Sequence, residues 1–163
     1  SALRPAAEAL QGAVAERVLA RAVRPRHALA TPRTPAYLRW RYGAGPIPYH
    51  ALLDGDALVI LRVRERGPLA EAVVDEVLAP DAAAARRGLS RAVRASGAHH
   101  AVAHFGQEWP ARVALARAGF APLPGQGMIF VVRPVGAAGG RGSGPDPLRA
   151  ASWSLSLGDL EVF

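Results

Sequence analysis

Three extended runs stand in a row between Tyr49 and Leu78, and the short turns between them restrict how they can pair. Tyr49 to Leu53 and Ala57 to Glu65 flank Asp54-Gly55, a strong two-residue hairpin signal. Arg66-Gly67-Pro68 turns the chain again before Leu69 to Leu78, which contains AEAVVDEVL. Connections this short join antiparallel neighbours.

Helical patterns lie on both sides of this meander. From Ala6 to Arg24, Leu10, Val14, Val18 and Leu19 share one side while Glu8, Glu16, Arg17 and Arg21 lie elsewhere. Pro25, Pro32 and Pro35 follow, and Thr34-Pro35 is a cap and first-turn signal for a short helix over Ala36 to Tyr42. Downstream, Pro80-Asp81 opens a helix over Ala82 to Ala95 that Ser96-Gly97 stops. His99 to Phe105 reads as a fourth strand, and Glu108 to Ala118 as a helix entered at Trp109-Pro110 and ended by a left-handed Gly119. Met128 to Arg133 is a fifth strand, and Ser152 to Leu157 a sixth, with a Gly- and Pro-rich loop from Gly136 to Pro147 between them. The unit from Leu69 to Phe105 is expected to be a right-handed parallel crossover. The expected class is therefore α/β (α+β): a mixed, mostly antiparallel twisted sheet with a central parallel pair and helices on both faces. Residues 1–34 form an N-terminal helix and proline-rich connection, and 35–163 the main domain.

Composition narrows the function. A chain of 163 residues, half of them apolar, builds one domain with a proper core. The lack of cysteine excludes disulfides, thiolate metal sites and a cysteine nucleophile. No apolar run approaches the roughly 20 residues that span a bilayer, and no signal-peptide pattern is present. A cytoplasmic protein without a membrane partner is expected. The chain begins at Ser1 rather than Met, which is compatible with an additional domain; a homodimer is equally compatible.

A net charge of +7 invites a polyanion as partner. All 20 basic residues are Arg, however, with Lys and Asn absent, and they spread along the chain. That pattern reads as compositional bias, and nucleic-acid binding is not expected. In YLRWRY (Tyr37 to Tyr42), Tyr37 and Trp40 share a helix face and read as core anchors rather than base-stacking rings.

Titratable candidates concentrate on two strands. Glu71, Asp75 and Glu76 lie on the third; Glu76 and Leu78 share one face, Asp75 and Val77 the other. His99, His100 and His104 lie on the fourth. A metal site is not expected, because His100 and His104 would sit roughly 13 Å apart at about 3.3 Å per residue, whereas zinc needs its nitrogens at about 2.0–2.1 Å. GAAGGRGSGPDP is not followed by a helix pattern and is a poor phosphate loop.

The order of elements, with the helix ARVALARAGF ending on Gly119-Phe120, LRWRY followed by Pro46, and the WSLSLGD ending, resembles the GCN5-related N-acetyltransferase (GNAT) fold over about Pro35 to Phe163. The resemblance implies a splayed wedge between the third and fourth strands that admits acetyl-CoA or a related acyl-CoA. It implies pantetheine pairing with the backbone of Val77, Leu78 and Ala79. The pyrophosphate would lie at the start of the next helix, with Arg86, Arg87, Gly88, Leu89 and Ser90 aligned on the family's phosphate loop. The acyl group would pass to a small-molecule or peptide amine by direct attack in a ternary complex, with Glu76 and His104 as proton acceptors. Two departures stand beside the match. Ala85 replaces the loop's polar first residue, and Leu115 stands where the family often has a Tyr acid. A non-catalytic GNAT-like structural or interaction module is the competing expectation.

Overall fold

A computed structural model describes residues 2–106, 109–123 and 144–160. Its sheet has the order β1-β2-β3-β4-β5, formed by Arg4–Pro5, His50–Asp54, Ala57–Arg66, Leu69–Leu78 and His100–Ala103. The first four strands run antiparallel to their neighbours, and β5 joins β4 in parallel, as the crossover requires. The β2–β3 hairpin turns on Gly55 at φ 58°, a conformation that favours glycine. The parallel pair lies at the edge of the described sheet instead of its centre. Met128 to Arg133, which was expected to extend the sheet, falls outside the described residues.

Helices occupy both faces. On one, α4 (Ala82–Ser96) brings Gly88 so close to β3 that a Cβ there would meet Ala57 Cβ at 2.8 Å and Val59 Cγ2 at 3.2 Å. On the other, α3 (Pro35–Gly43) points Tyr42 at Glu76, opposite Ile60. Between them Leu52, Leu58, Ile60, Leu61 and Leu89 are fully buried, each worth about 1.5–3 kcal/mol of transfer free energy. The β3–β4 register slips by one residue: Ile60 faces Glu76 and Leu61 faces Val74, leaving Asp75 as the extra residue of a bulge.

Several expectations are modified. The N-terminal helix is two, α1 (Ala6–Ala9) and α2 (Ala13–Arg21), broken at the extended Gly12. The break lets Ala6, Ala9 and Leu10 and then Val18 and Leu19 reach the same core as Leu38 and Leu58. In α3, Thr34 Oγ1 caps Tyr37 N at 3.1 Å as expected. Trp40 is not an anchor: it is 68% exposed, because Leu38 and Tyr42 form the buried stripe. Helix α5 (Pro110–Arg117) ends as its sequence suggests, with Gly119 at φ 90° and Phe120 N bonding back to Leu115 O at 3.1 Å. The sixth strand is replaced by a 3-10 turn (Ala150–Ser152), single bridges from Trp153 to Leu29 and from Ser156 to Phe105, and a short helix α6 (Leu157–Leu160).

Candidate functional site: the parting of two strands

β4 and β5 pair only from Glu71–His100 to Val74–Ala103. Beyond that point β4 continues to Leu78 without β5, still paired with β3, and the C-terminal segment enters beside it. Gly106 N bonds Leu155 O at 2.8 Å, and Leu157 N bonds His104 O at 2.9 Å. The parting is thus present, but this chain's own side chains fill it.

The filling is an ionic knot. Arg33, buried in the loop before α3, gives its Nε to Glu76 Oε1 at 3.0 Å. Its Nη2 reaches Ser156 Oγ at 2.7 Å and Asp159 Oδ2 at 2.6 Å, and its Nη1 reaches Thr31 O at 2.8 Å. Glu76 Oε1 also accepts from Tyr42 OH at 2.9 Å and Ser156 Oγ at 3.0 Å. The guanidinium lies 5.7 Å from the Tyr37 ring centroid and 5.4 Å from that of Trp109. Gly158 closes the stack: a Cβ on it would collide with Tyr42 OH and come within 3.1 Å of Glu76 Oε1.

The electrostatics follow from burial. Burial opposes charge on Arg33, but Glu76 and Asp159 outweigh it and hold the guanidinium above its ordinary value. Burial pushes the Glu76 carboxyl up, with Arg33 pulling the other way. Tyr42 is raised strongly, first by burial and then by the charges of Glu76 and Asp75.

Glu76 is fully buried and its Oε1 already serves three partner residues, so a proton from an incoming ammonium has no open path to that oxygen. His104 is exposed at the rim, its pKa lowered by partial desolvation and then by Arg112. Val77, Leu78 and Ala79 are buried, and Ala79 O accepts from Val23 N at 3.0 Å. That carbonyl is therefore already engaged within the chain.

The phosphate-loop alignment is corrected by helix geometry. Arg86, Arg87, Gly88, Leu89 and Ser90 lie inside α4, where backbone N–H groups bond the preceding turn instead of facing a diphosphate. Gly88 and Leu89 face the sheet, whereas Arg86 and Arg87 are exposed. At the helix start, Asp81 Oδ1 accepts from Ala83 N and Ala84 N, both at 2.8 Å. A carboxylate thus occupies the place where an anion would be held. Glu108 lies outside the described residues.

Sequence reasoning missed Arg33, Ser156 and Asp159. Arg33 is separated from Glu76 by 43 residues and from Asp159 by 126, and no local pattern encodes such pairs. The available hint was Gly158-Asp159, a helix-turn signal that interrupts the alternating pattern of WSLSL.

Beside the knot lies a cleft of about 200 Å³ between α2, the loop that follows it, Leu78 and Trp109. Among the described residues, no group of three or more His, Asp or Glu could hold a metal ion, and no helix is long and apolar enough to cross a membrane.

No family model and no curated protein matches the chain. Two crystal structures of the protein TTHA1254 from Thermus thermophilus are similar to it. A point mutant is 20% identical with a TM-score of 0.49, and the wild type 23% identical with a TM-score of 0.47. Each match covers 84% of this chain and 99% of the other.

Proposed function

We propose that this chain is a GNAT-like module that has kept the strand parting of an acyltransferase but fills it from within, and that it serves as a structural or interaction module. The observation that carries this reading is the knot of Arg33, Glu76, Ser156 and Asp159 in the parting. Asp81 on the first amides of α4 supports it, because a second anion there would meet a carboxylate. The cytoplasmic setting expected from the sequence belongs to the same proposal.

The test is thermal unfolding in the presence of acetyl-CoA. A ligand at 100 times its dissociation constant would add about 2.7 kcal/mol. Millimolar acetyl-CoA is expected to leave the midpoint where it was, and a saturable rise would overturn the reading.

One observation favours a second reading, that of an N-acyltransferase using acetyl-CoA or a related thioester. The cleft against Leu78 opens at the parting, where a thioester arm would enter. In that reading the knot opens on binding, Val77 to Ala79 line the arm, and Glu76 and His104 take the proton of a small-molecule or peptide amine. The same titration decides between the two.

A further inference from the structure

The cleft beside the knot has a polarity that the proposed function does not use. Its lining is mostly apolar, with Leu19, Val23, Leu78 and Trp109 among it. Arg33 also borders it, but that guanidinium is held by Glu76 and Asp159. Arg24 stands at the border too, exposed and with no carboxylate partner among the described residues. From Ala22, Val23 and Arg24 the surface continues into a shallow depression that Arg21 and Arg26 also line. Among the described residues, no acidic side chain lines either hollow.

An apolar cleft with a cation at its border selects a ligand with an apolar body and an anionic head. Size limits the body, since about 200 Å³ is less than a drug-sized pocket of roughly 300–1,000 Å³. Charge limits the head: one guanidinium without a carboxylate partner among the described residues matches a monoanion, and its planar fork fits a carboxylate. We propose that this cleft binds a small amphipathic carboxylate, a single-ring or short-chain acid, with its body against Leu78 and Trp109 and its carboxylate on Arg24. The module then has a small-molecule ligand as well as a structural role, and this goes beyond the function proposed above.

The experiment uses the full chain, 3-phenylpropionate as probe and 3-phenylpropan-1-ol as its uncharged counterpart, followed by calorimetry and tryptophan fluorescence. The acid is expected to bind saturably and the alcohol about tenfold more weakly or worse, as loss of a charge-assisted hydrogen bond implies. Arg24→Gln, at an exposed position, should bring the acid down to the affinity of the alcohol while leaving the unfolding midpoint in place. Trp40→Phe should retain the fluorescence change and Trp109→Phe should lose it. No saturable heat with the acid, equal affinity for acid and alcohol, or an unaffected Arg24→Gln would each overturn the proposal.

Discussion

Two glutamates five residues apart on β4 face the same side of the sheet and live under opposite rules. Glu76 lies with Arg33 where both side chains are almost wholly buried. Glu71 is as hidden, but its partners are not. Arg64 approaches its Oε1 at 2.6 Å while 39% exposed, and His100 approaches its Oε2 at 3.0 Å while 41% exposed. Both carboxyls carry a desolvation cost. At Glu71 the hydrogen bonds from Arg64 and His100 overcome it and the pKa falls; at Glu76 burial prevails and the pKa rises. The difference shows that an ion pair's meaning lies in the surroundings of both partners, more than in the distance between them.

The largest expected effect tests that contrast directly. Arg33→Met leaves Glu76 and Asp159 buried without their cation and should cost about 3–5 kcal/mol in urea unfolding. Arg64→Met, at a half-exposed pair, should cost no more than about 1 kcal/mol. Equal losses would erase the distinction between the two regions.

A middle-sized effect concerns how tightly the knot is closed. Gly158→Ala forces a methyl group against Tyr42 OH and should cost about 1–3 kcal/mol. Adding Tyr42→Phe should recover part of that loss, and a double-mutant cycle over urea midpoints checks it. Strict additivity would mean that α6 moves away instead of pressing on the ring.

The smallest effect is one of sign. The folded-state pKa of Glu71 lies below its unfolded value, so its contribution is present above the unfolded pKa and is lost as pH falls through the folded one. The folded-state pKa of Glu76 lies above its unfolded value, so its contribution is complete below the unfolded pKa and is lost as pH rises through the folded one. Unfolding of Glu71→Gln and Glu76→Gln between about pH 4 and 7 should therefore show opposite slopes relative to the parent. The Glu71 difference should stay below about 1 kcal/mol because its partners reach solvent. Parallel slopes would mean that the two sites share one electrostatic environment.

The regular elements were readable because their determinants are local. Gly55 and Asp56 turn the β2–β3 hairpin one residue on from the Asp54-Gly55 signal, with Asp54 paired to Ala57, while Thr34 caps α3 and Asp81 begins α4 just as Gly97 ends it. The site was not readable, because it is assembled from the loop at Arg33, the strand at Glu76 and the turn at Asp159. Trp40 was misplaced for a related reason: spacing shows which residues share a face, but the sheet decides which face is covered.

Asp75 carries a consequence that follows from simple parity. Side chains alternate along a ribbon, so an odd interval of five would send Glu71 and Glu76 to opposite sides. The one uncounted residue between Val74 and Glu76 turns odd into even. Were Asp75 paired in the ladder like its neighbours, the count would stay odd and the second acid would go to the Gly88 side, against a helix that leaves no room even for a methyl group. The whole polar assembly thus depends on a single step in the count.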